Sequence, residues 1–187
     1  MRKVTCSMAV SLDGYIVGPD GRFDWSAPDE EIFRFATEEV RGLRVHLLGR
    51  RLYESMRYWE TADQDPSLSD LEREFAALWT ALPKVVFSRT LSSVEGGYRL
   101  AAGGLADEVA KWQAEPGEGD IGIGGATLAA EVAALGLVDE YRLRVHPVLV
   151  GGGTPFFPRA ERREDLDVLD TRAFGSGVVH LRYRVRR

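Results

Sequence analysis

A single cysteine, Cys6, stands among 187 residues, which excludes an intramolecular disulfide and a cysteine-built zinc cluster. Histidine is almost as scarce. His46, His146 and His180 are scattered without metal-ligand spacing, so no metal site is expected and each reads as a satisfied or solvated imidazole. No apolar run approaches the ~18 residues of a membrane span. The opening "MRKVTCSMAVSLDGYIVG" also lacks the continuous apolar core of a signal segment. A cytoplasmic protein with no membrane partner is the expectation. Positive charge is not in excess either: 24 Lys and Arg against 29 Asp and Glu give a net charge of -5. A phosphate-reading surface usually leaves a domain basic, so no nucleic-acid partner is expected.

What is present is a soluble, globular balance of 44% hydrophobic and 28% charged residues, in a length that suits one domain. No linker or repeat divides the chain, and residues 1–187 read as a single domain. "KVTCSMAVSL" (Lys3 to Leu12) predicts a strand buried on both faces in its middle and halted by Asp13–Gly14. "PDEEIFRFATEEVRG" from Pro28 starts with acidic residues suited to a helix N-terminus and then spaces Ile32, Phe35, Ala36 and Val40 helically. "RVHLLG" and "KVVFS" read as strands. "DPSLSDLEREFAALWTAL" and "GGLADEVAKWQAE" read as helices. "DIGIGG" is a strand running directly into the helix "ATLAAEVAALG", which Gly136 closes. Strand–helix alternation of this kind predicts an α/β fold with a mainly parallel sheet. Two alternating runs near the end finish it antiparallel: Tyr141, Leu143 and Val145 on one face, and Val179, Leu181, Tyr183 and Val185 in the tail.

Three strand ends carry similar equipment: Gly49, Arg50 and Arg51; Ser88, Arg89 and Thr90; Gly124, Gly125, Ala126 and Thr127. In parallel α/β sheets ligands collect at the carboxyl ends of strands. Glycines there admit a ligand to the backbone, hydroxyls and guanidiniums grip phosphate oxygens, and helix N-termini favour anions. Each segment alone reads equally as a turn or a cap. Together, in this order, they favour a phosphorylated cofactor. A Rossmann fingerprint is not the source, because the third glycine of G-x-G-x-x-G is replaced by Thr127. Asp139 and Glu140 also stand too close to serve as its ribose partner.

The segments "MAVSLDGYIVGPDG", "LLGRRLYE", "VVFSRTL", "IGIGGATL" and "HPVLVGGGTPFF" resemble, in order and nearly end to end, the dihydrofolate reductase-like superfamily. They are most similar to the reductase domain of bacterial riboflavin-biosynthesis deaminase-reductases. That resemblance implies a mixed, mostly parallel sheet of about eight strands flanked by helices, with NADPH as cofactor. Gly49, Arg50 and Arg51 would face the pyrophosphate and adenosine side. Ser88 and Arg89, with Thr90, would hold the adenosine end and its 2′-phosphate, and Gly124, Gly125, Ala126 and Thr127 would lie along the pyrophosphate. Ala9 and Ile16 would border the nicotinamide. A cis peptide between Gly124 and Gly125 is a further implication.

The same resemblance makes the substrate a phosphoribosylamino-uracil and the assembly a homodimer. The zinc-deaminase pattern that accompanies this domain elsewhere cannot be written with one cysteine. For a proton donor, Asp13 matches the S-x-D-G element. Asp29, Glu30 and Glu31 stand where folate reductases carry a carboxylate, and of these Glu31 is kept beside Asp13 as a candidate catalytic residue. Asp13 also reads as a plain turn residue, and the three acids as dipole partners of the helix. Trp25, Gly152 and Gly153 are the expected substrate wall. Two other functions remain open: reduction of dihydrofolate, another pterin or a small carbonyl compound, and nucleotide binding without catalysis.

Overall fold

The computed structural model describes residues 1–157 and 163–187. The strands are β1 (Val4–Ser11), β2 (Tyr15–Val17), β3 (Leu43–Gly49), β4 (Lys84–Phe87), β5 (Tyr98–Leu100), β6 (Asp120–Gly124), β7 (Glu140–His146), β8 (Thr154–Pro155), β9 (Leu166–Ala173) and β10 (Val179–Val185). The α-helices are α1 (Glu30–Arg41), α2 (Arg50–Met56), α3 (Asp70–Ala81), α4 (Leu105–Ala114) and α5 (Ala126–Ala134). Among the described residues the main sheet has eight strands in the order β5-β4-β3-β6-β1-β7-β10-β9, and β2 pairs with β8 in a small second sheet. From β5 to β7 every neighbour runs parallel, and β10 runs antiparallel to both β7 and β9. The α/β class, the parallel body and the antiparallel finish all match the expectation.

Alternation divides the work of the two faces. One face carries Val4, Cys6, Val10, Leu47, Val85, Ile121, Ile123, Tyr141 and Leu143 under α4 and α5, and forms the larger core. The other face is itself divided. Leu48, Val86 and Tyr98 pack under α2 and α3 with Tyr53, Phe75 and Trp79. Towards β7 that face turns polar, because Glu140, Arg142, Arg144 and His146 all point to it. Its charged groups are paired. Glu140, 1% exposed, accepts from Lys3 (2.7 Å), Arg142 (2.9 Å) and Arg182 (2.8 Å). Glu39 of α1 pairs with Arg144 and accepts from Ser7 Oγ at 3.0 Å. A buried ion set of this kind stands only while each member keeps its partners.

Helix starts differ in a way that matters below. α1 is capped by Asp29, whose carboxylate accepts Ile32 N–H, and α3 by a reciprocal Ser69–Glu72 box. α2, α4 and α5 begin on Gly49, Gly104 and Gly125, with no side-chain cap. Gly125 takes φ +95°, and Gly136, at φ +68°, ends α5 as expected. The Gly124–Gly125 peptide is trans, as are all described bonds, which corrects the implied cis linkage. The positive φ at Gly125 makes the turn in its place.

Candidate cofactor and substrate site

The parallel body puts the ends of β4, β3 and β6 side by side, so the three motif segments that lie far apart in the chain meet on one edge. A Cβ on Gly49 would lie 3.7 Å from Gly124 O, and one on Gly125 would lie 3.8 Å from Gly49 N. The uncapped N-termini of α2 and α5 therefore open on neighbouring ground. Their first-turn N–H groups carry the positive ends of two helix dipoles without any side-chain acceptor.

The third segment joins them through Arg50, which donates to Thr90 Oγ1 at 2.8 Å and to Glu54 at 2.7 Å. Ser88 Oγ accepts the N–H groups of Thr90 (3.2 Å) and Leu91 (3.0 Å), holding the turn after β4. Arg51 and Arg89 are exposed and have no ion-pair partner among the described residues. Thr127 is exposed on the first turn of α5, and Ala126 is buried beneath it. The expected cofactor set thus lies along one edge, with Ala9 and Ile16, both half-buried, on the β1 side.

Gly124 is glycine for an internal reason. A Cβ there would run into Leu52 Cδ2 and stand 2.9 Å from His46 Nε2. It makes room for the start of α2.

β1 and β7 extend further along the same edge and end together at the Ser11–His146 pair. Asp13 follows directly. Its carboxylate accepts Ser11 Oγ (2.6 Å), Val150 N–H (3.2 Å) and Gly151 N–H (2.8 Å). These bonds, that from Ser11 foremost, hold its pKa below the ordinary carboxylate value. The group is an ionised clamp between two loops, a state opposed to proton donation.

Glu31 is drawn elsewhere. It accepts Gly175 N–H at 3.1 Å and pairs with Arg172 at 2.8 Å, and both lower its pKa. It ties α1 to the β9–β10 turn. Of the acidic residues at the start of α1, Asp29 is the one whose charge acts on His146.

The Gly151–Gly153 run serves two ends. Gly153, at φ +106°, lies so close to β2 that a Cβ would stand 2.7 Å from Gly18 O. Gly151 and Gly152 also take positive φ but have no atom within 4 Å of a would-be Cβ. Their backbone borders open space, as a wall for a ligand requires. Trp25 sits in a 3-10 turn (Asp24–Ser26) and meets His146 edge to face at 5.6 Å. His146 was not among the residues singled out. Its alternation with Arg144 and its position opposite Ser11 are the signals that mark it.

Among the described residues no group of His, Cys, Asp and Glu is arranged for a metal ion, and no helix is long and apolar enough to cross a membrane.

The chain is 34% identical to the uncharacterized protein YyaP of Bacillus subtilis (strain 168), covering 97% of this chain and 94% of YyaP. A putative riboflavin biosynthesis protein from Shewanella sp. PV-4 superposes with a TM-score of 0.76 at 24% identity, covering 100% of both chains. RibD of Acinetobacter baumannii gives 0.71 at 18% identity over 100% of this chain and 58% of RibD. They share its dihydrofolate reductase-like fold. With the family model for the RibD C-terminal domain matching residues 2–180, the chain belongs to the RibD C-terminal domain family.

Proposed function

We propose that the protein is an NADPH-dependent reductase of a small heterocyclic substrate, of the kind typified by the phosphoribosylamino-uracil of riboflavin biosynthesis. The observation that carries this reading is the meeting of the side-chain-free N-termini of α2 and α5 beside the Ser88–Arg89–Thr90 turn. That donor set suits a dinucleotide: backbone N–H groups for a pyrophosphate, and an unpaired guanidinium for a further phosphate. Membership of the RibD C-terminal domain family supports it.

In this reading the first-turn N–H groups of α5, with Thr127, and those of α2 bind the pyrophosphate. Ser88 and Arg89 take the 2′-phosphate, while Arg50 stays tied to Thr90 and stiffens the turn. Ala9 and Ile16 border the nicotinamide. When bound, NADPH supplies the hydride, and the protein's task is to bring an electrophilic carbon against it and exclude water. Trp25 and Gly152 wall the substrate side, with Asp13 holding the glycine loop in place, while Gly153 packs on Val17 and Gly18 instead of facing a ligand. Glu31, held by Arg172, is not free for a folate-type proton transfer, so the uracil-type substrate is preferred to a pterin.

The reading includes a homodimer. Leu166, Val168 and Val179 are exposed on one face of the β9–β10 pair, at 36%, 61% and 36%, and this is the apolar surface assigned to the partner copy.

A turnover assay with NADPH and the phosphoribosylamino-uracil tests the function. Oxidation of NADPH that depends on the pyrimidine is the expected result. NADPH binding with no turnover of this or a related heterocycle would leave only a nucleotide-binding module.

A further inference from the structure

Among the described residues, two polar ring atoms at the carboxyl edge of β7 have no hydrogen-bond partner: Trp25 Nε1 and His146 Nε2, both buried. Their rings meet at 5.6 Å with 74° between planes, and His146 is only 5% exposed. Buried ring nitrogens nearly always find partners, because an unmet one forfeits its solvation outright. His46 Nδ1 and His180 Nδ1 are also unmet, but their rings meet Trp79, whose N–H is satisfied, and Phe35. At the end of β7 two unmet nitrogens lie on rings in contact, which sets this place apart. The placement points the same way. His146 ends β7, two strands across from β6, so it stands roughly 10 Å to the side of the Gly125 turn at about 4.8 Å per strand. That is the far side of the proposed nicotinamide position from the phosphate-binding ends.

The charged groups around His146 are Arg144 on its own strand and Asp29 at the start of α1, with Ser11 opposite it on β1. Burial, then Arg144, lowers the imidazole pKa against the opposing effect of Asp29, so the ring is neutral near pH 7. A neutral imidazole has one nitrogen that donates and one that accepts, and with the proton on Nδ1 the unmet Nε2 is the acceptor, whereas an indole N–H only donates.

We propose that Trp25 and His146 form a lactam-reading corner of the substrate site. Trp25 Nε1–H donates to a ring carbonyl, and His146 Nε2 accepts the adjacent ring N–H. The matching ligand is a planar heterocycle with a cyclic amide edge. This assignment rests on the reductase reading for its setting, and it names the residues that select the substrate ring.

The test uses the wild-type protein with 15N-labelled tryptophan, with and without added NADPH. Its four indole N–H signals include one from Trp25, identified by its loss in Trp25→Phe. The probes are 5,6-diaminouracil and its N1,N3-dimethyl analogue, which lacks ring N–H groups. The expected result is a downfield shift of the Trp25 signal with diaminouracil and binding about tenfold or more tighter than for the dimethyl probe. His146→Phe should remove that preference. An unmoved Trp25 signal at saturation, equal binding of the two probes, binding of neither, or a preference surviving in His146→Phe would each overturn the assignment. NADPH binding is titrated on the same samples. Its failure with a shifted Trp25 signal would sink the reductase reading and leave the corner standing.

Discussion

The Asp13 carboxylate accepts the Gly151 N–H at 2.8 Å and so joins loops that lie 138 residues apart in the chain. This bond decides between two roles for the residue. An asparagine in its place keeps one acceptor oxygen where the carboxylate uses both, Oδ1 for Ser11 and Val150 and Oδ2 for Gly151. It also cannot deliver a carboxyl proton. If the residue is a clamp, part of the clamp is lost without any loss of proton transfer. Asp13→Asn is therefore expected to lose a few-fold in turnover, and Asp13→Ala about tenfold, by loosening the glycine loop. A loss beyond about a hundredfold in Asp13→Asn, at unchanged thermal stability, would make the group a proton donor after all.

Glycine substitutions should rank by cause. At Gly153 alanine meets both a positive φ of +106° and the backbone of Val17 and Gly18, and is expected to be the most damaging. Gly124→Ala overpacks against Leu52 and His46 and should cost about 1–3 kcal/mol. Gly125→Ala has room but must hold φ +95° with ψ 136°, a region side chains seldom enter, for about 1–3 kcal/mol. Urea midpoints of the three variants check the order. A Gly153→Ala protein as stable as Gly125→Ala would contradict the close approach of β8 to β2.

Acid should act in two windows. Burial foremost, and then Lys84, lowers His46 from 6.5 to about 4, so the unfolded chain takes up a proton that the folded one resists. Stability should then fall from pH 6.5 down towards 4, by roughly 1.4 kcal/mol per unit at most. Glu140 is held at about 2 against an ordinary 4.5: burial opposes its ionisation, but hydrogen bonds from Arg182, Lys3 and Arg142 outweigh it. Its contribution, on the order of 3 kcal/mol, is complete above pH 4.5 and disappears as pH falls through about 2. Unfolding free energies measured across pH 7 to 2 check both. A flat profile between 6.5 and 4 would contradict the enclosure of His46.

The proposed dimer surface is tested by Val168→Lys. Light scattering should give a dimer mass for the native protein and a monomer mass for the variant, with the fold unchanged by circular dichroism. A native monomer would remove the assignment of the β9–β10 face.

Much of this architecture is legible in the sequence because its signals are local. Apolar runs, caps and glycines mark β1, β3, β4 and β6 and the helices after them, and order along the chain brings their ends together. Other parts are not. β5 is three residues long, and β9, "LDVLDTRA", is an exposed edge strand whose alternation is broken where the register shifts opposite Arg182–Tyr183. The β2–β8 pair depends on the positive φ angles of Gly151 to Gly153, which a run of glycines permits but does not dictate. Glu31 and Asp29 look alike in sequence. Only the β9–β10 turn, with Arg172 and the Gly175 N–H, draws Glu31 away from the edge.

The most direct measurement is a parallel titration of the protein and Arg89→Ala with NADPH and NADH, followed by reduced-nicotinamide fluorescence. A guanidinium on the 2′-phosphate should make NADPH bind about 10- to 100-fold tighter than NADH in the native protein and about equally in the variant. If neither cofactor binds the native protein, or the preference is intact in Arg89→Ala, the strand ends do not read NADPH as proposed.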